Sequence, residues 1–234
     1  MKSIFPVLIM LLIVGVARAQ VANESEAGMA SANGNTKTQT YNYKQINSYT
    51  WRDNILRFNS RYLNAKANGV ETARYFDLGL RYERRLTQDF NMFAGETYVT
   101  DKFAGIRARY ISDIGGKHFY FNTERTKFFT ELGYRYMKET RFDRTQVKSS
   151  YGRLYNEWEH KWNGSFSTKY WLEYLPNFSH PNDWQANTEL SLSAMMNDVF
   201  SLKTGMLIRY DHLPAPGILY KTDSLFTTAL VAKF

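Results

Sequence analysis

Apolar and polar residues alternate along most of this chain, with the period of two that places one row of side chains on each face of a β-strand. The clearest case comes late. Trp184, Ala186, Thr188, Leu190, Leu192, Ala194 and Met196 form one row, opposite Gln185, Asn187, Glu189, Ser191 and Ser193. Asn197-Asp198 makes a tight turn, and Phe200, Leu202, Thr204, Met206, Ile208 and Tyr210 repeat the apolar row opposite Ser201, Lys203, Gly205 and Arg209. The pattern recurs at Phe76, Leu78, Leu80 and Tyr82, opposite Asp77, Gly79, Arg81 and Glu83. It recurs at Phe128, Thr130, Leu132, Tyr134 and Tyr136, opposite Glu131, Gly133 and Arg135. A further case is Phe166, Thr168, Tyr170, Leu172 and Tyr174, opposite Ser165, Ser167, Lys169 and Glu173.

The rhythm predicts about twelve strands, at 36–48, 52–64, 71–85, 89–100, 102–113, 117–125, 127–139, 147–162, 165–175, 184–196, 199–210 and 225–234. The first two are blurred. Gly115-Gly116 is read as a short turn. The uncharged rows approach the about 9–11 residues that cross a bilayer as a tilted strand. Their largest rings sit at the ends: Phe128 and Tyr136, Phe166 and Tyr174, Phe200 and Tyr210, Phe226 and Phe234. A soluble sandwich alternates too, but has no reason to keep rings at strand ends. Girdles of aromatics at both edges of an apolar band belong to a membrane barrel. The last strand, with Phe226, Leu230 and Phe234 on one row, resembles the closing strand and assembly signal of outer-membrane barrels. Ala232 stands where a second aromatic is usual. The fold class expected is an all-β, antiparallel transmembrane barrel, with both ends in the periplasm. Thr100-Asp101-Lys102, Asn163-Gly164 and Asn197-Asp198 fall at periplasmic turns in this scheme. Lys138–Lys148, Pro176–Asp183 and Asp211–Ser224 fall outside.

The start of the chain supplies an address. Lys2, the apolar run Ile4–Val16 and the site Ala17-Arg18-Ala19 read as a cleaved signal peptide over 1–19, leaving Gln20 as the first residue. The run is shorter than the about 20 residues of a spanning helix. Residues 20–35, small and polar, read as a flexible leader, and 36–234 as the barrel. The chain contains no cysteine, so disulfides play no part. Its 16% aromatic content beside a mean hydropathy of −0.48 is what alternation produces. The formal net charge of +8 falls to +6 once Lys2 and Arg18 leave. The basic residues are dispersed, which argues against nucleic acid and for contact with anionic lipid head groups. Outer-membrane lipids and the outer-membrane assembly machinery are the partners expected of a monomeric barrel in a Gram-negative cell.

Three stretches carry a family likeness: GNTKTQT at Gly34–Thr40, YVTDKFAGIRARY at Tyr98–Tyr110, and PAPG with KTD before the closing strand, within Pro214–Phe234. With them the chain resembles the YdiY-like family of salt-induced outer-membrane proteins, a domain of unknown function. ISDIGGKHFY at Ile111–Tyr120 departs from the more glycine-rich stretch of that pattern. The resemblance implies an outer-membrane location and a response to salt, and the expected barrel is porin-like. It supplies no catalytic residues.

Some outer-membrane barrels are enzymes, so the histidines matter. Ser179-His180 and Asp211-His212 lie in outer loops, but sequence neighbours point different ways and adjacency is no dyad. A metal set of His180, Asp183, Asp211 and His212 would need two loops to meet and lacks ligand spacing on one element. No cofactor motif is present. The expectation is a non-enzyme with no catalytic, cofactor or metal residues. A surface lipid-modifying barrel and a soluble periplasmic barrel with an apolar ligand are the alternatives. Charges are costly against lipid, so the polar rows are expected to line the lumen. The candidates are Asp77, Arg81, Glu83, Arg107, Arg109, Glu131, Arg135, Lys169, Glu173, Glu189, Lys203 and Arg209. They either cross-pair and fill the interior or border a narrow path for small solutes, with a basic surplus that favours anions.

Overall fold

The computed structural model describes residues 20–32, 37–214 and 216–234. The signal segment, with Ala17 and Ala19, lies outside them, as do Gly34, Asn35 and Thr36 of the first family stretch. Twelve strands follow in order: β1 Gln20–Ala32, β2 Thr38–Trp51, β3 Asn54–Ala67, β4 Val70–Arg85, β5 Phe90–Asp101 and β6 Ile106–Asn122. β7 is Thr126–Arg141, β8 Gln146–Lys161, β9 Phe166–Pro176, β10 Trp184–Met195, β11 Phe200–Asp211 and β12 Thr222–Lys233. Each pairs antiparallel with its sequence neighbour, and β1 pairs with β12 to close the barrel. Closure leaves no free sheet edge, the condition for a sheet to cross lipid.

The strand number agrees with the sequence reading, but two strands are placed differently. Gln20–Ala32 is no leader: it forms β1 and pairs with β2 from Gln20↔Thr50 to Ala32↔Thr38. Its rows carry Asn23, Ser25 and Ala27 on one side and Glu24, Glu26 and Gly28 on the other, so apolar periodicity cannot reveal it. Backbone pairing holds it instead. In compensation, the two strands expected over 102–125 are one, β6. Gly115-Gly116 is mid-strand, not a turn. A Cβ on Gly115 would stand 2.8 Å from Phe93 Cζ, and one on Gly116 would stand 2.7 Å from Phe90 Cζ. Both glycines make room for rings lying across the strand, and Gly115 also admits the β7 backbone, since its Cβ would stand 2.3 Å from the Leu132 carbonyl oxygen.

These two changes reverse the direction of the strands before β6. The turn after Asp101 therefore lies at the loop end with 142–145, 177–183 and 212–221, and not at the end holding Gln20 and Phe234 as the sequence scheme had it. Asn163-Gly164 and Asn197-Asp198 do lie at the terminus end.

Burial is inverted relative to a soluble protein. Leu80 (53% exposed), Leu190 (49%) and Leu230 (46%) face outward, while Glu83 (1%), Glu131 (2%) and Asp77 (4%) are buried inside. That arrangement is stable only with hydrocarbon outside, and it removes the soluble-barrel alternative. The rings form belts. Trp184 lies 4.8 Å from Tyr210 and 5.8 Å from Tyr174 at the loop end. Tyr120 stacks on Phe128 at 5.1 Å near the other end. Glu96 departs from this near mid-strand: it lies on the outward row of β5, exposed beside Leu80 in register, and accepts a 2.5 Å hydrogen bond from Ser112 Oγ.

Candidate functional site

The interior divides into two levels. Near mid-height, long side chains interlock across the lumen. Arg81 of β4 donates to Glu131 of β7 at 2.6 Å, reaching over two intervening strands. Gly95 on β5 and Gly115 on β6 keep that span low, since neither carries a side chain. Arg153 of β8 meets the same carboxylate at 2.6 Å and Glu173 of β9 at 2.7 Å. Arg135 continues the chain, 3.1 Å from Glu173 and 2.7 Å from Asp113. Glu83 contacts Arg81 at 2.9 Å, Arg57 at 3.4 Å and Lys117 at 3.6 Å. The Phe93 ring lies under this lattice, with the Arg81 guanidinium 3.8 Å from its centroid. On the wall of β10, β11 and β1 Lys203 bridges Glu26 at 3.0 Å and Glu189 at 3.3 Å, and farther along β8 and β9 Lys169 binds Glu157 at 2.7 Å. Glu83, Glu131 and Glu173 each have more than one cation, so breaking one pair does not orphan them.

Toward the loop end the lumen is hollow. A cavity of about 360 Å³ is bordered by Asn59, Arg61, Tyr75 and Asp77 on one side, by Arg109, Arg135 and Glu139 on another, and by Gln185, Asn187, Leu207 and Arg209. Leu213, Ile218 and Tyr220 of the β11–β12 connection stand at its mouth. Glu139 is held by Arg109 and by Arg141 at 3.0 Å, and Asp77 by Arg61 at 2.9 Å.

Of the twelve lumen candidates, Asp77, Arg81, Glu83, Arg109, Glu131, Arg135, Lys169, Glu173, Glu189, Lys203 and Arg209 lie on the inward row. Arg107 does not. A register irregularity between Ile106 and Ala108 adds a residue to β6, turns Ile106 inward and leaves Arg107 exposed, with no ion pair among the described residues. With Arg107 outside, the expected basic surplus among the candidates falls by one. Glu26, Asp101, Asp113, Glu139 and Glu157 also line the interior, matched in number by Arg57, Arg61, Lys117, Arg141 and Arg153. Glu26 lies in the stretch read as a leader, and Arg57 and Arg61 on the second of the two blurred strands. Asp113 and Lys117 flank the misread glycine pair. Glu139 was within reach of the pattern: extending the row Glu131, Gly133, Arg135 by two further steps lands on it.

The histidine pairs do not assemble. Ser179 Oγ accepts the Ser150 N–H at 3.0 Å, while the His180 N–H binds Asn177. His212 Nδ1 is 3.0 Å from the Tyr210 hydroxyl, and its ring lies 5.4 Å from Trp184, within the aromatic belt. Asp211 accepts instead from Gln185 at 3.3 Å. His160 sits in the other belt, 4.7 Å from Trp162. Among the described residues no group of three or more His, Cys, Asp or Glu side chains is placed to hold a metal.

A closed antiparallel barrel, apolar outside, belted with rings and charged within, is a transmembrane β-barrel of the outer membrane. The chain belongs to the family described as "Protein of unknown function, DUF481", whose model matches residues 25–234; the YdiY-like resemblance agrees with it. No curated protein matches. Among solved structures the chain is similar to a NanC porin, with 10% identity over 91% of this chain and 97% of that one and a TM-score of 0.52. It is also similar to the COG4313 outer membrane channel from Pseudomonas putida F1, with 10% identity over 95% and 97% of the two chains and a TM-score of 0.53. At such identities the likeness is one of fold.

Proposed function

We propose that this protein is a non-enzymatic outer-membrane channel, passive and narrow, that admits small solutes from the cell exterior. The observation that carries the reading is the asymmetry of the lumen. A hollow vestibule opens at the loop end and stops on the lattice around Glu131. Barrels of about eight strands are filled by side chains and those of sixteen or more leave an open channel. Twelve strands lie between, so the side chains set the bore. A purely structural barrel has no need of a hollow outer half. The loop end is assigned to the exterior and Gln20 and Phe234 to the periplasm.

Solute selection follows the lattice. Most lumen cations are paired, so bulk anion preference is weak. Arg107 lies outside the lumen and takes no part in that preference. Abundance that rises with external salt is part of the proposal and rests on the family resemblance. Liposome swelling with neutral solutes of graded size tests transport: entry of the smallest and exclusion of disaccharides is expected, and impermeability to all of them refutes it. Incubation of the folded barrel with phospholipid vesicles, leaving the lipid unchanged, is the expected result against the lipid-modifying alternative.

A further inference from the structure

We propose that Arg209 anchors a binding subsite in the vestibule for a small hydroxylated carboxylate. The cavity is bordered by five guanidinium groups, and four are engaged. Arg61 Nε donates to Asp77 at 2.9 Å and its second nitrogen to the Tyr75 hydroxyl at 2.8 Å. Arg109 and Arg141 both donate to Glu139, at 2.8 and 3.0 Å. Arg135 donates to Asp113 at 2.7 Å. Arg209 makes no side-chain hydrogen bond among the described residues, though its side chain is only 31% exposed.

Its surroundings explain why the fork stays open. Asp101 Oδ2 is the nearest carboxylate, at 3.9 Å, beyond hydrogen-bond reach. Asp101 cannot close the gap freely, because its Oδ1 accepts the N–H groups of Phe103 and Ala104 at 3.2 and 3.1 Å in the following turn. Asp223, the register partner of Arg209 on β12, is exposed and forms no ion pair with it among the described residues. Meanwhile the guanidinium is fixed in place. It lies 4.6 Å from the centroid of the Tyr75 ring, which also takes the Arg61 guanidinium at 4.7 Å. A planar cation held by stacking at the border of an accessible cavity, with its donors unpaired among the described residues, is pre-organised for a bidentate carboxylate.

The second half of the ligand follows from Asn187, the register partner of Arg209 on β10. Asn187 Nδ2 donates to Glu173 at 3.1 Å, which leaves its carbonyl oxygen free to accept a hydroxyl. Asp77 and Asp101 add acceptors and disfavour multiply charged anions. The cavity of about 360 Å³ suits a solute of monosaccharide size. If the channel reading holds, this subsite is the selective step of the path, but binding itself does not require conduction.

The test uses the full barrel folded in detergent micelles and titrated calorimetrically with sodium gluconate, with sorbitol as the neutral analogue at matched ionic strength. Saturable gluconate binding is expected, with sorbitol at least about tenfold weaker. Arg209→Gln should lose at least about tenfold in affinity while keeping the heat-dependent gel shift of a folded barrel. Arg209→Lys, which keeps the charge and loses the planar fork, should fall measurably below the native protein and serves if the glutamine variant fails to fold. Absence of saturable binding, equal binding of sorbitol, or native affinity in either folded variant overturns the subsite. Because no membrane current is read, a barrel that binds without conducting sinks the channel reading alone.

Discussion

Leu190→Arg places a cation in lipid, and the structure sets the cost. Leu190 faces outward on β10, between Tyr170 and Met206 in register. It lies six residues along the strand from Trp184, which marks the loop-end belt. At about 3.3 Å per residue and a tilt of about 40°, that is a descent of about 15 Å, the middle of a band about 25–30 Å tall. Arg at the midplane costs about 2–4 kcal/mol, or a factor of about 30 to 1,000 in the folding constant. Thr97→Arg is the inward control. Thr97 borders the cavity, which gives a longer side chain room, while Asp77 is nearby on the same wall. Its cost should stay below about 1 kcal/mol. An Arg at Ser191 would be a poor control, because Ser191 is only 4% exposed beside Lys169 and would suffer crowding even though it faces inward. Folding of both variants into lipid vesicles, followed by tryptophan fluorescence across a urea series, gives the two values. Equal losses would mean that the outward row of β10 does not meet lipid, or that the register is wrong by one residue.

Other outcomes follow from the same structure. Glu96→Leu removes the one outward carboxylate of mid-β5 and should stabilise the barrel in vesicles by about 1–2 kcal/mol, less than the Arg figure because acids cost less there; unchanged or reduced stability would show that Glu96 contacts something other than lipid. Deleting Phe234 removes its reciprocal backbone bonds with Asn23, at 2.8 and 3.1 Å, from a seam where β1 and β12 register only from Glu24↔Lys233 to Ala27↔Leu230. The deletion should lower the amount assembled in the outer membrane and abolish the gel shift, and normal assembly would make the ending incidental. Intact mass of protein extracted from membranes should begin at Gln20; retention of 1–19 would defeat the export argument.

Strands with one apolar row were legible in the sequence because lipid imposes that row. β10, β11 and β12 lie where the alternation put them, and so do their turns. β1 was illegible because it is held by pairing to β2 and carries small and polar residues toward both sides. The glycine pair in β6 misled for a related reason. Glycine signals a turn by its backbone freedom, but here it answers to rings from β5 that pass over the strand. In the lumen, residue type announced an inward charge, yet parity failed at Arg107, where an added residue shifts the row. Pairing across the barrel was beyond reach: nothing in the order of residues says that Arg81 meets Glu131, fifty positions on.

Single-channel recording of the purified barrel in planar bilayers, beside Arg81→Ala, tests the narrow-channel account most directly. Arg81 is the arm that spans the lumen from β4 to β7, and Glu131 and Glu83 both retain Lys117 when it is gone. The account predicts small steps for the native barrel and steps at least about twofold larger for the variant, because a twelve-stranded lumen is limited by its side chains and not by its wall. Silence from both proteins, each shown to be folded and inserted, would contradict it.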